Sequence, residues 1–313
     1  MTGTRLLAVL AIGVSALAVQ AGEGGDASLF TDVMGRFRPG KPTAVMSYDV
    51  SYALLHIRLK RVAGATIEAT EGFWRSSPSK EWSPACMIDF QVASPRTGDG
   101  SVKLFKRTLS VMTMPDLKII TYVKQNDEVI KPFFGKVRVM KYRELYDFES
   151  GDLIYRRHDL MTGAVETNLA NRADLARQST EVADVLRSLF ASYHDHSILE
   201  RVGANKVHFN VEGAVRTFVL KMTKGSLSVP VLSRKLVALY AEVHPEERSA
   251  TLNESFSMWC VPFRDFARET QDPELKKLAG MSLEYSMLPL SGEYALFMGS
   301  LQCSLTNICA QSR

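Results

Sequence analysis

Two histidines that flank an aspartate have the clearest potential for chemistry in this chain. The segment "SYHDHS", residues 192 to 197, places His194 and His196 two positions apart. In an extended chain these side chains would point the same way and could bind one metal ion. On a helix they would diverge by about 200°. A polar helix end explains the same residues, because cationic side chains favour helix C-termini.

A metal site at this position needs a third protein ligand. The candidates are Asp195, His158, Asp159, His208 and His244. Their spacing in the sequence does not bring any of them close to His194 and His196. We therefore expect no metal and no cofactor, and a metal-dependent enzyme that uses His194 and His196 is kept as an alternative hypothesis.

The motifs that usually carry nucleophilic or phosphate chemistry are absent from the sequence. There is no Gly-x-Ser-x-Gly elbow, no phosphate-binding loop and no dinucleotide glycine fingerprint. Cys260 lies in the apolar segment "SMWCVPF", where a thiol is usually inert. We predict no catalytic and no cofactor-binding residues, and a protein that is not an enzyme.

Four cysteines leave the disulfide pattern open. They are Cys86, Cys260, Cys303 and Cys309, and an even number in an exported chain permits three pairings. Cys303 and Cys309 are the disulfide candidates, because a bridge between them would close a short C-terminal loop and contribute about 2–3 kcal/mol. Cys86 and Cys260 are expected to be buried thiols, with a bridge between them as the less favoured alternative.

The N-terminus has the layout of a secretory signal peptide. Arg5 precedes an apolar run from Leu6 to Val19, and the small residues Val19 and Ala21 frame a cleavage site. The run is 14 residues long, shorter than the roughly 20 that a membrane-spanning helix needs. Residues 1–21 are therefore predicted to be a signal peptide, with no lipid-modified cysteine, and the mature protein is expected to be periplasmic or secreted and not membrane-spanning.

The composition is that of an ordinary globular protein, with 46% hydrophobic and 23% charged residues and a formal charge of +4. This mild charge predicts no nucleic-acid partner. Basic residues cluster in "RLKR", 58–61, and at Lys131, Lys136, Arg138, Lys141 and Arg143. They could form a strip that contacts lipid headgroups or cell-wall polymers, but Lys and Arg also occur at strand edges to discourage edge pairing.

Alternation of apolar and polar residues predicts that most of the chain is β-strand. Its clearest instance is "AVMSYDVSYALLHIRL" near residue 50, where Met46, Tyr48 and Val50 alternate with Ser47 and Asp49. Similar strands follow one another directly, separated by short turns, and this succession favours antiparallel sheets.

One helix interrupts the strands. In "STEVADVLRSLFASYHD", residues 179–195, Val182, Leu186, Leu189 and Tyr193 recur with helical spacing. We predict a mainly β protein of two antiparallel β-rich halves, each a sandwich or a half-barrel, linked by this helix. The N-terminal domain would cover residues 22–198, including the connector helix, and the C-terminal domain residues 199–313.

Three stretches together resemble a family of exported bacterial β-rich proteins of unknown function. They are "SYDVSYALLHIRLKRVAGATIEAT", "ADVLRSLFASY" and "LPLSGEYALFMGSLQCSL". Their order and spacing fit the family over most of the mature chain. Arg187 and the "HDH" of residues 194–196 depart from its pattern. The resemblance implies a periplasmic, all-β protein and carries over no catalytic residue.

Aromatic residues and methionines supply a large adaptable apolar surface, with 3 Trp, 10 Tyr, 15 Phe and 13 Met. Sheets lined with such residues can hold an acyl chain. The leading hypothesis is a non-enzymatic exported protein that binds an apolar or amphiphilic envelope component such as a lipid. The alternative is a structural envelope protein that binds another protein.

Overall fold

The protein is described by a computed structural model. The described residues are 27–54, 57–77, 80–94, 102–114, 119–130, 138–149, 153–170, 204–211, 214–229, 234–246, 255–262, 266, 271, 273–276, 287–296 and 299–311.

Within these ranges the chain forms two helices and fifteen strands. The helices are α1 (Ala27–Gly35) and α2 (Pro273–Lys276). The first nine strands are β1 (Phe37–Pro39), β2 (Thr43–Leu54), β3 (Ile57–Trp74), β4 (Ser83–Ala93), β5 (Val102–Thr113), β6 (Ile119–Ile130), β7 (Arg138–Asp147), β8 (Leu153–Asp159) and β9 (Val165–Ala170). The remaining strands are β10 (Ala204–Val211), β11 (Ala214–Val229), β12 (Arg234–Pro245), β13 (Phe256–Pro262), β14 (Met287–Leu296) and β15 (Gly299–Gln311).

The prediction of a mainly antiparallel β fold is confirmed. Strands that follow one another in sequence pair antiparallel from β3 to β9 and again from β10 to β15. The connector helix predicted at 179–195 and the domain boundary at 198 lie outside the described residues, so both remain predictions.

The described residues fall into two compact units. The N-terminal unit contains residues up to 47 and from 63 to 170, and the C-terminal unit contains residues 48–62 and those from 204 to 310. Because these limits fall inside β2 and β3, both strands contribute residues to each unit. Within the described residues, no helix is long and apolar enough to cross a membrane.

In the N-terminal unit, α1 packs on one face of the sheet formed by β3 to β8. Phe30 and Val33 of α1 join a buried cluster with Trp74 of β3, Leu109 of β5 and Val123 of β6. These strand residues share one face, since side chains directly opposite one another in an antiparallel pair point the same way. We call this side of the sheet the helix face.

Arg36 fixes the end of α1 to the sheet. Its guanidinium lies 4.4 Å from the centroid of the Trp74 ring and donates hydrogen bonds to the carbonyl of Arg75 and the carboxylate of Glu149. The Trp74 indole N–H donates to the same carboxylate at 2.7 Å. The next strand, β1, then pairs with β3 and places Pro39 opposite Gly72.

In the C-terminal unit the strands from β10 to β15 lie side by side in sequence order. The Tyr48 hydroxyl, from the part of β2 in this unit, donates a hydrogen bond to the carbonyl of Pro289 at 3.0 Å. Trp259 of β13 lies against the backbone of Gly225, where a Cβ atom would stand 2.9 Å from the indole ring. Glycine thus leaves room for the tryptophan.

Candidate functional site

The second face of the β3–β8 sheet, opposite the helix face, carries a group of buried charged side chains. Strand register places Lys106 of β5 opposite Asn126 of β6, Lys124 opposite Glu144 of β7, and Glu144 opposite Arg157 of β8. Residues two positions apart on a strand also share a face. The six residues that we call the charged cluster are Lys106, Lys124, Asn126, Glu128, Glu144 and Arg157.

The three ion pairs of the charged cluster are long, and two of them are buried. Lys106 Nζ lies 3.8 Å from Glu128 Oε2, with side-chain exposures of 7% and 4%. Lys124 Nζ lies 3.4 Å from Glu144 Oε2, with exposures of 5% and 1%. Arg157 Nη1 lies 3.7 Å from Glu144 Oε1. The two lysines and two glutamates balance in charge, and Arg157, which is 21% exposed, lies on the same face as Asp159.

Burial of these charges has a high free-energy cost. Removal of a charge from water costs several kcal/mol, and close hydrogen-bonded pairing is what offsets that cost. In the Lys106–Glu128 pair the ammonium and the carboxylate stand beyond hydrogen-bonding distance. Replacement of buried ion pairs by apolar residues of similar volume is often neutral or stabilising, so these pairs are weak evidence of a stabilising role.

Asn126 lies at the centre of the cluster. It is 1% exposed, and neither its amide nitrogen nor its amide oxygen has a hydrogen-bond partner among the described residues. Lys106 and Tyr142 lie directly opposite Asn126 on the two neighbouring strands. An unsatisfied buried amide costs about 1–3 kcal/mol, which a bound polar group would recover.

The same face is apolar on the two strands next to the cluster. Val92 of β4 lies opposite Lys106, and Phe90 lies opposite Thr108. On β3, Ala65 and Ile67 lie opposite Val92 and Phe90. We call Ala65, Ile67, Ile88, Phe90 and Val92 the apolar cluster, and all five are buried. The face is therefore apolar at these positions of β3 and β4, with Glu71 of β3, which pairs with Lys41, beyond them. It is charged from β5 to β8.

Tyrosines close one end of the charged cluster. Tyr146 lies between Tyr122 and Tyr155, with ring centroids 5.0 and 4.9 Å away. The Tyr155 hydroxyl donates to Glu144 Oε1 at 3.0 Å. Burial, and after it the charge of Glu144, raises the pKa of Tyr155 above its usual range. Tyr155 therefore stays protonated and acts as a hydrogen-bond donor.

The predicted metal ligands do not come together in the described part of the chain. His158 and Asp159 are neighbours in β8, where consecutive side chains point to opposite faces. His208 lies in β10 and His244 in β12, strands that do not pair directly. Among the described residues no three His, Cys, Asp or Glu side chains are placed to hold a metal. His194, Asp195 and His196 lie outside the described residues, so the metal hypothesis stays a prediction.

Asp159 has a local structural role instead. Its carboxylate accepts hydrogen bonds from the backbone N–H groups of Met161 and Thr162, at 2.8 and 3.0 Å. These bonds, that of Met161 first, lower the pKa of Asp159. The residue shapes the turn between β8 and β9.

Cys303 and Cys309 lie in one strand, β15, and no disulfide joins them. The sequence interpretation placed them in a loop. Six residues of extended chain span about 20 Å, whereas the Cα atoms of a disulfide lie within about 7 Å. Cys86 and Cys260 are buried thiols, also without a bridge. Burial raises the pKa of Cys86 and of Cys303 to about 12, and that of Cys260 well above its usual value.

These positions predict the outcome of thiol labelling. We expect a maleimide to modify the folded protein at Cys309 alone, because Cys309 is half-buried while the other three are buried and protonated. In denaturant all four should react. Cys309→Ser should abolish labelling of the folded protein. Rapid modification of Cys260 in the native state, or only two reactive thiols after unfolding without reductant, would contradict this arrangement.

Of the basic residues singled out in the sequence, the structure describes the side chains of Lys141 and Arg143, so the predicted strip stays a prediction. Lys141 of β7 is exposed. Arg143, two positions further, faces Asp127 across the sheet, with Nη1 at 2.8 Å from Oδ1. This pairing fits a cross-strand interaction. Lys131 and Lys136 lie outside the described residues.

The charged cluster itself was missed at the level of sequence. Charged residues that alternate along a strand normally indicate a face in water, and Lys124, Asn126 and Glu128 fit that pattern. Here that face of β6 is buried at Lys124, Asn126 and Glu128. The sequence did carry a signal that this face is buried. Four tyrosines lie on the same face as the charges, on three successive strands: Tyr122, Tyr142, Tyr146 and Tyr155.

Comparison with known proteins finds similarity to solved structures. A β-barrel-like protein of the domain of unknown function DUF1849, from Brucella abortus, superimposes with a TM-score of 0.45 and 8% sequence identity, covering 87% of this chain and 99% of the other. No protein-family model and no curated protein matches the sequence. This similarity does not assign the chain to a family.

Proposed function

We propose that this chain is a non-enzymatic, exported protein of the bacterial envelope that binds an amphiphilic molecule on the second face of the N-terminal unit. The observation that carries the proposal is the division of this buried face into an apolar cluster on β3 and β4 and a charged cluster from β5 to β8. An amphiphile is divided in the same way, into an apolar acyl chain and a polar or charged head group.

Energetics support this assignment. Contact with the apolar cluster would remove the acyl chain from water, which is worth about 0.8 kcal/mol for each buried CH₂ group. The head would supply the hydrogen bonds that Asn126 lacks among the described residues. The predicted signal peptide supports a location in the periplasm or outside the cell, where acyl-chain lipids are abundant partners.

Affinity for fatty acids of increasing length tests the proposal. Octanoate, laurate and palmitate should bind the delipidated protein in that order of increasing affinity, with about a fourfold gain for each added CH₂ that becomes buried. Isothermal titration calorimetry measures the series. Failure of all three to bind, or equal affinities across the series, would refute amphiphile binding.

Two matched variants locate the site. Val92 of the apolar cluster and Val123 of the helix face are 1% and 0% exposed, so a threonine at either position buries a hydroxyl at similar cost to folding. We expect Val92→Thr to weaken palmitate binding about fourfold and Val123→Thr to leave it unchanged. Equal effects of both variants would place the ligand elsewhere.

A further inference from the structure

We infer that the head of this amphiphile is uncharged and carries at least two hydroxyl groups, as a glycerol or sugar head does, and that it binds to Asn126 at the centre of the charged cluster. This inference rests on the proposed function and names the ligand class. Two observations support it: the buried charges of the cluster balance, and three of its acceptor oxygens lack a hydrogen bond among the described residues.

The charge balance of the cluster favours an uncharged head. The two buried lysines stand against the two buried glutamates, and all four side chains are at most 7% exposed. Arg157 is 21% exposed and lies on the same face as Asp159. A charged head would place one further charge in this buried face without a counter-charge, which is strongly unfavourable. A neutral head avoids that cost.

Three acceptor oxygens of the cluster lie close together. No donor in the described part of the chain forms a hydrogen bond with Oδ1 of Asn126, Oε2 of Glu128 or Oε2 of Glu144. Glu128 lies two positions from Asn126 on β6. Glu144 is a diagonal neighbour of Asn126 on β7, because Tyr142 lies directly opposite Asn126. Diagonal neighbours are about 7–8 Å apart, so a small head over Asn126 lies within reach of all three oxygens.

Hydroxyl groups match these atoms better than other polar groups. A hydroxyl donates one hydrogen bond and accepts others, so it can donate to a glutamate oxygen and accept from the Asn126 amide nitrogen, which also lacks a partner within the described ranges. An ionised carboxylate or phosphate only accepts, and it would stand beside two carboxylates. An ammonium only donates and adds a charge. Buried water forms the same hydrogen bonds as a hydroxyl, so the test must separate the two.

Four probes separate these features by calorimetry on the full chain. They are monolauroylglycerol, methyl laurate, lauroyl lysophosphatidic acid and glycerol. Monolauroylglycerol should bind most tightly. Methyl laurate has the same acyl chain and an ester but no hydroxyl, and it should bind about tenfold more weakly. Lysophosphatidic acid has a phosphate in place of one hydroxyl, and it should also be at least about tenfold weaker because its charge has no counter-charge. Glycerol, without a chain, should be weaker still.

Asn126→Leu and Gln125→Leu form the matched pair of variants. Gln125 is the adjacent amide on β6, points to the helix face and donates to Asp127 at 2.6 Å. Asn126→Leu should lower the affinity for monolauroylglycerol about tenfold and leave the affinity for methyl laurate unchanged, whereas general damage to the face would lower both. Gln125→Leu should change neither affinity. If Asn126→Leu does not fold, Asn126→Ala is measured instead, with the same loss expected.

The outcomes distinguish the two proposals. Methyl laurate binding as tightly as monolauroylglycerol, as expected if water alone satisfies Asn126, would overturn the hydroxyl inference and leave amphiphile binding standing. Tighter binding of lysophosphatidic acid, or full affinity for monolauroylglycerol in the folded Asn126 variant, would do the same. Glycerol binding as tightly as monolauroylglycerol would support the head assignment and overturn amphiphile binding. Absence of binding by all four probes would overturn both.

Discussion

Replacement of Gly72 by alanine is expected to destabilise the protein by about 3 kcal/mol or more. A Cβ atom on Gly72 would stand 2.1 Å from the carbonyl oxygen of Arg38, and it would also meet the ring of Phe37. These contacts lie where β1 pairs with β3. Because the Arg38 oxygen belongs to the backbone, β1 must move away and strain the chain between α1 and the sheet.

Gly35→Ala is the matched control for this prediction. Gly35 ends α1, and nothing lies within 4 Å of the position that its Cβ would take. Alanine there should leave stability unchanged or raise it by about 0.5–1 kcal/mol. Urea denaturation followed by circular dichroism measures both variants. Equal stability of Gly72→Ala and the wild type would show that β1 does not approach β3 as described.

Replacement of Lys106 by methionine should destabilise the protein by about 3–5 kcal/mol. Glu128 would keep its charge at 4% side-chain exposure without the ammonium that stands 3.8 Å away. The double variant Lys106→Met with Glu128→Leu removes both charges, and it should recover most of the wild-type stability. A double-mutant cycle in urea gives the coupling between the two side chains.

The control pair for Lys106 and Glu128 lies on the helix face. Arg143 and Asp127 are 2.8 Å apart, with side-chain exposures of 11% and 30%. Arg143→Met should cost about 1 kcal/mol or less, since solvent reaches that pair. If the Lys106→Met and Arg143→Met variants were equally stable, Glu128 would not be both buried and charged.

The antiparallel β architecture was predictable from sequence because local patterns determine it. Alternation around Tyr48 and Val50 predicted β2, which the structure places at Thr43–Leu54. Short turns between successive strands predicted neighbours that pair in sequence order, as β3 to β9 do. Both features depend on residues close together in the chain.

Features that depend on distant contacts were not predictable in this way. A bridge between Cys303 and Cys309 was expected to close a loop, although "LQCSL" alternates like a strand, and Cys303, Leu305 and Ile308 are buried in β15. Prediction of the charged cluster required knowledge that the second face of β6 is buried. The residue pattern of a single strand does not indicate which part of the protein covers its second face.

Native mass spectrometry of the protein purified from cells without detergent tests the central claim most directly. We predict a peak at the mass of the polypeptide plus one amphiphile, and release of that amphiphile when the complex is dissociated in the gas phase. If the protein shows only the bare polypeptide mass, and shows the same mass after incubation with a bacterial lipid extract, the second face of the N-terminal unit does not bind a lipid.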